Sequence, residues 1–176
     1  TVRDILKTYD PVAIRMFFLL KHYRSPIDFS EERMKEAQAA AGRLMNAYGK
    51  MMRVLDKAAE GAQTGPDSDT VKEIAKNKDA ILESMDDDFN TAKAMGHFFD
   101  VAKIVNSVDE NDGNAPAIME NAKEIFDSIG TGVFGLVFER EVENKGIVDD
   151  LMKLLIDLRT GARADKNFAM SDKIRD

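Results

Sequence analysis

The feature that most constrains this chain is a run of apolar and small residues recurring at alternating steps of three and four. It reads Met34, Ala37, Ala41, Leu44, Tyr48, Met51 and Leu55. Such steps keep one side of an α-helix apolar over several turns, whereas a strand needs a period of two. Ser30 stands where an N-cap belongs, and Glu31 and Glu32 occupy the first turn, where the helix dipole favours anions. A long bundle helix is therefore expected, ending near Gly61.

The same reading extends along the chain. Asp10-Pro11 opens a helix of about 11 residues, with proline at the first helical position. Its Ile14, Met16, Phe17, Phe18, Leu19 and Leu20 are apolar on most sides, so the helix is expected to be buried. It stops in His22-Tyr23-Arg24-Ser25-Pro26, because proline disfavours a helical residue before it. Gly61 to Ser68 reads as a linker.

A third bundle helix carries Val71, Ile74, Ile81, Leu82 and Met85, and breaks over Asp86 to Thr91. The next bears Met95, Phe98, Phe99, Ala102 and Val105. After a polar loop from Asp109 to Asn114, Pro116 begins another, with Ile118, Met119, Ala122, Ile125, Phe126 and Ile129. Ile147, Val148, Leu151, Leu154, Leu155 and Leu158 make one more amphipathic helix, and a short last one spans Phe168 to Asp176. Short connections between helices imply antiparallel neighbours, so the expected fold class is all-α, an antiparallel helical bundle.

Composition narrows the chemistry. The 176 residues contain no cysteine, which excludes disulfides, a thiol nucleophile and a cysteine-ligated metal. The two histidines, His22 and His97, stand far apart. No apolar run approaches the roughly 20 residues of a membrane span, and the first residues do not read as a signal peptide. Membrane and DNA partners are not expected, and a cytoplasmic location is.

The net charge of −7 is unevenly spread. Residues 1–57 carry 11 Lys and Arg against 7 Asp and Glu, residues 58–150 carry 8 against 21, and residues 151–176 carry 6 against 4. The two ends are mildly basic, which permits a polyanionic partner there although the total charge repels one. Lys21, Tyr23 and Arg24 pair cations with an aromatic. Arg159 and Arg163 lie four apart on one helix face, with Lys166 nearby. Such groups can grip phosphates and stack on a base; solvated helix surface, with Asp157, Asp165 and Asp172 as ion-pair partners, is the plainer alternative.

Other patterns resolve less chemistry. Gly130-Thr131-Gly132-Val133-Phe134-Gly135 matches the spacing of a dinucleotide-binding loop. That loop needs a strand before it and a helix after it, and here a helix precedes it, so a helix end and a loose turn are expected. Asp86-Asp87-Asp88 could hold Mg²⁺ if a second acidic pair such as Asp149-Asp150 faced it; otherwise it decorates a helix start capped by Asn90 or Thr91. His97, beside Phe98-Phe99, reads as a half-buried histidine and not a general base. Neither a catalytic constellation nor a metal site is expected in this chain.

Three blocks resemble a known family. Thr1 to Leu6, Tyr9-Asp10-Pro11, Ile14 to Leu20 and His22 to Glu32 resemble the stretch of cysteinyl-tRNA synthetase, a class I enzyme, that follows its lysine-methionine-serine-lysine-serine loop. Met85 to Thr91 is similar to a second block of that family. Arg159, Ala162-Arg163, Lys166, Phe168-Ala169 and Asp172 to Asp176 are similar to a third. One departure is Ala92-Lys93, where the family has proline after the threonine.

The resemblance implies a bundle of the class I synthetase anticodon-binding type at residues 30–176, joined by a short stem-contact connection, residues 1–29, to a catalytic domain lying upstream. ATP and zinc belong to that missing half, and no cofactor is implied here. The implied partner is tRNA, specifically tRNA-Cys. Lys21, Tyr23 and Arg24 would face the acceptor-stem side, and Arg159, Arg163, Lys166 and Arg175 the anticodon arm. The aspartate triplet becomes a bundle corner under this reading. The whole enzyme would ligate cysteine to tRNA, with this part inactive alone. A related cysteine–amino-sugar ligase of thiol biosynthesis, a non-enzymatic helical interaction module and an independent helical metal enzyme are the alternatives.

Overall fold

The computed structural model describes residues 1–58, 69–138, 145–164 and 172, with the backbone alone at 145–152, 162 and 164. Chain contacts divide it into two compact units, Thr1–Phe138 and Glu139–Asp176. The expected boundary at residues 29/30 falls inside the first unit.

The first unit is built of helices α1 (Val2–Ile5), α2 (Pro11–Leu19), α3 (Glu31–Ala58), α4 (Asp69–Asp86), α5 (Thr91–Ser107) and α6 (Ala115–Ile125). The starts of α2, α3 and α5 each have a local cause. Asp10 caps α2 by accepting from the Val12 amide at 2.8 Å, and Pro11 stands at its first position. The Ser30 hydroxyl accepts from the Arg33 amide at 3.2 Å. Asn90 caps α5 by accepting from the Lys93 amide at 3.1 Å, so this start needs no proline after Thr91.

Helix α3 packs against α2, α5 and α6, and α4 against α5 and α6, with α3 and α5 running parallel. Arg43 lies over the Phe99 ring, and Lys50 Nζ donates to the carbonyls of Asn106 (2.9 Å) and Val108 (2.6 Å) one step further along both helices. Met34, Ala37, Ala41, Leu44, Tyr48 and Met51 are buried as the spacing predicts, and Leu55 is partly so. Five methionines (Met16, Met34, Met51, Met95 and Met119) are fully buried; their unbranched thioethers fill irregular gaps between helices.

Two positions depart from expectation. Phe18 is 49% exposed and Leu82 47% exposed. Both extend an apolar run past the width that one helix face can bury, so the outer residue of the run is left to solvent.

The glycine pattern is a packing device. Here α6 widens into a π-turn over Phe126–Thr131, and the chain folds back on it tightly and not as a loose turn. The Phe134 amide donates to the Ile129 carbonyl and the Leu136 amide to the Gly130 carbonyl, both at 2.8 Å, while Thr131 Oγ1 donates to the Leu136 carbonyl at 2.9 Å. A Cβ on Gly130 would sit 2.7 Å from the Phe138 ring and 2.8 Å from Phe98. Only glycine admits the cluster of Tyr48, Phe98, Phe126, Phe134 and Phe138 that closes this end of the core, with ring centroids 4.6 to 6.3 Å apart. The described residues that follow, 132–138, form no helix whose N-terminus could receive a pyrophosphate, and the Gly130 backbone faces phenyl rings, which argues against the dinucleotide reading.

The second unit contains α7 (Lys145–Ala164), on which Leu154, Leu155, Ile156 and Leu158 are exposed. The expected linker at Gly61–Ser68 and the short helix expected from Phe168 to Asp176 lie outside the described residues, Asp172 apart. No strand occurs among the described residues, and none of their helices is long and apolar enough to cross a membrane.

Candidate functional site

Two groups of the expected RNA-facing residues are described, one in each unit. The first follows α2, where the chain leaves the helix through Lys21 and reverses over His22 to Ser25, the Ser25 amide donating to the His22 carbonyl at 2.8 Å. This turn meets the acidic corner between α4 and α5. Asp88 and Phe89 form that corner in the left-handed region, with φ of 57° and 52°. Aspartate tolerates such a backbone better than a bulky residue does.

Here Tyr23, Arg24 and Asp88 are brought together. The Tyr23 hydroxyl donates to Asp88 Oδ1 at 2.7 Å and accepts from Arg24 Nε at 3.0 Å. Arg24 Nη2 lies 3.1 Å from the same carboxylate oxygen, and His22 Nε2 lies 3.9 Å from Oδ2. The His22 and Tyr23 rings stack at 4.9 Å and 22°. The hydrogen bond to the Tyr23 oxygen, and then the Asp88 carboxylate, hold the Arg24 guanidinium above its already high pKa. Asp88 thus offsets the Arg24 charge and fixes the Tyr23 ring, and like Asp86 and Asp87 it is exposed.

Lys21 is exposed, and its carbonyl accepts from Thr91 Oγ1 at 3.3 Å. An open groove of about 490 Å³ lies beside it, with Leu6, Arg15, Phe18, Tyr23 and Phe134 among its walls. Arg15, which also lines this groove, donates to the Gly135 carbonyl, where Gly135 adopts a φ of +65° that favours glycine.

In the second unit, Arg159 and Arg163 stand four residues apart on α7, on one face and about 6 Å apart along the axis. Arg163 is exposed, whereas Arg159 Nε is shielded from solvent and has no hydrogen-bond partner among the described residues. Lys166 and Arg175 lie outside the described residues.

Charge pairs that the sequence leaves unread occupy the far end of α3. Arg53 and Lys57 reach Glu110 at 3.4 and 3.3 Å, and the Lys57 hydrogen bond foremost holds the Glu110 carboxyl below the usual carboxylate value. These partners are more than 50 residues apart, and no short-range spacing marks them.

Among the described residues no cluster of metal-binding side chains occurs. The chain contains no cysteine, and no three His, Asp or Glu side chains converge among the described residues, so the donors described do not make a zinc site. The Asp149-Asp150 side chains are not described.

Comparison with known proteins adds the family. Residues 1–39 match a family described as the class I (C) tRNA synthetase catalytic domain, and residues 80–139 match the DALR domain. The cysteine–tRNA ligase of Bacillus velezensis is 38% identical over 175 residues, 99% of this chain and 36% of that protein. Those of Clostridioides difficile and Thermococcus gammatolerans are 37% and 36% identical, over 99% and 100% of this chain. Along its whole length the chain is similar to cysteinyl-tRNA synthetases. It corresponds to the C-terminal portion of that synthetase and spans little more than a third of the length of these relatives. Within the synthetase portion, the DALR match runs from the end of α4 through the aromatic closure at Phe138, and the Asp88 corner falls inside it. The catalytic-domain match covers α1, α2 and the start of α3. The Tyr23–Asp88 bond therefore joins the two matched regions.

Proposed function

We propose that this chain is the tRNA-binding part of a cytoplasmic cysteine–tRNA ligase, whose whole joins cysteine to tRNA-Cys at the expense of ATP. The observation that carries this reading is the order of the two family matches, catalytic-domain and then DALR, on a chain aligned along 98–100% of its length with cysteine–tRNA ligases. Those relatives are cysteine–tRNA ligases, which favours the synthetase over the amino-sugar ligase. Residues 1–29 would act as the stem-contact connection and residues 30–176 as the anticodon-binding bundle. ATP and zinc would be held by the catalytic half, and this part would supply binding alone.

The chemistry assigned to each group follows from its charge. Arg159 and Arg163 present two guanidinium forks along one helix face, a geometry suited to neighbouring phosphates. Lys166 and Arg175 extend the same basic end in sequence. At the other end Lys21 supplies an exposed ammonium, while Tyr23 offers a ring already fixed in place and Arg24 a guanidinium shared with Asp88. Phosphate contacts position an RNA without reading its sequence.

The test is binding of a tRNA-Cys transcript to the chain by fluorescence anisotropy across a salt series, beside an assay of cysteine-dependent ATP–pyrophosphate exchange. Affinity should fall steeply as salt rises, with no exchange. Salt-independent binding would remove the phosphate contacts, and measurable exchange would move chemistry into this chain. Equal binding of tRNA-Cys and a non-cognate tRNA would remove cognate specificity from this part of the synthetase.

A further inference from the structure

We infer that the open groove beside α2 is a seat for one unpaired RNA nucleotide, with its base against Phe18 and Tyr23 and its phosphate against Lys21 and Arg15. The inference rests on the tRNA reading and gives it a specific contact. The groove, about 490 Å³, has the size of a small-ligand site. Its lining contains two cations and no carboxylate, on a chain whose net charge is −7. A groove of that charge suits an anion, and its two half-exposed rings suit a flat partner: Phe18 is 49% exposed and Tyr23 58% exposed. A nucleotide combines both properties.

The seat is fixed before anything enters it. Asp88 holds the Tyr23 hydroxyl, His22 stacks on the Tyr23 ring, and Thr91 bonds the backbone of Lys21. Arg15 is anchored by its bond to the Gly135 carbonyl, and a guanidinium has five N–H donors, so others remain for a phosphate. Anchored rings and cations lose little freedom on binding. Base-paired nucleotides keep their faces stacked inside a duplex, so the groove selects single-stranded RNA. Stacking on an aromatic face tolerates any base, and no sequence preference is expected.

The experiment measures binding of fluorescein-labelled hexauridylate and of a tRNA-Cys transcript to the whole chain and to Phe18→Ala, Phe18→Leu, Phe18→Trp and Lys21→Ala, with circular dichroism melts confirming each fold. Hexauridylate affinity should fall about tenfold in Phe18→Ala and Phe18→Leu and be kept in Phe18→Trp, because leucine preserves apolar area but has no π face. Lys21→Ala should weaken binding and flatten its salt dependence by about 0.7 in slope. Failure to bind hexauridylate, or native-like binding by Phe18→Leu, overturns the seat. If tRNA binds and every groove variant binds it like the native chain, the seat falls and the tRNA reading stands. If hexauridylate binding depends on Phe18 while tRNA is not bound, the tRNA reading falls and the seat stands. Groove variants that leave RNA affinity unchanged but weaken association with a separately expressed catalytic domain make the groove a domain interface and overturn the inference.

Discussion

The Tyr23 hydroxyl donates to Asp88 Oδ1 at 2.7 Å across 65 residues of chain, tying the turn after α2 to the corner between α4 and α5. The bond fixes an aromatic ring and, through the same carboxylate, restrains the Arg24 cation. Asp88→Asn keeps a residue that tolerates left-handed backbone and removes the negative charge. We expect it to tighten tRNA binding and to steepen its salt dependence by about one unit, as Arg24 becomes free to meet a phosphate. An unchanged slope would mean that Arg24 does not reach RNA.

Phe89 follows Asp88 in the left-handed region and is 67% exposed. A bulky side chain there costs roughly 1–2 kcal/mol, with little burial to offset it. Phe89→Asn should therefore stabilise the chain by up to about 1 kcal/mol, read from urea denaturation with an unchanged m-value. A loss of stability would show that the exposed ring contributes contacts the backbone argument ignores.

Gly130 lies against two rings of the aromatic closure. Gly130→Ala should cost about 1–3 kcal/mol by overpacking, although alanine is the better helix former. A neutral result in the same urea titration would mean that Phe98 and Phe138 can move apart freely.

Glu110 has its carboxyl pKa depressed by the Lys57 hydrogen bond, with Arg53 assisting. A depressed folded-state pKa stabilises the fold above the unfolded value, near 4.5, and that contribution is lost as pH falls through the folded value. The NMR titration of Glu110 should therefore have its midpoint below 4.5. It should rise toward that value in Lys57→Gln and in high salt, since the pair is solvent-exposed. A midpoint indifferent to both changes would contradict the pairing.

Arg159 and Arg163 stand on one face of α7. If each meets a phosphate, Arg159→Ala and Arg163→Ala should each weaken tRNA binding across all sequences and lower the salt slope by about one. Anisotropy titrations at several salt concentrations measure this. Loss of affinity at an unchanged slope would assign the arginines a non-ionic role.

Features with local causes are legible in the sequence. The Asp10, Ser30 and Asn90 caps each act within three residues, and the Met34-to-Met51 stripe needs only helical geometry. Phe18 and Leu82 are misjudged because, in an apolar run wider than one helix face, the sequence does not say which residue is left to solvent. Gly130 is harder still: its neighbours in sequence resemble a phosphate loop, while its neighbours in space are two phenyl rings. The cation-and-aromatic group at Lys21 to Arg24 and the aspartate triplet are each visible in the sequence, but the bond between them is not, because no spacing rule spans 65 residues.

The aromatic closure also gives this protein a built-in optical probe. The chain has no tryptophan and three tyrosines, and Tyr48 alone of the three is buried, stacked on Phe138 at 5.3 Å. Near-ultraviolet dichroism depends on rings held in asymmetric surroundings, so much of that signal arises where α3, α5 and the π-turn meet. Loosening of that junction is readable without a label, even while the far-ultraviolet helix signal persists.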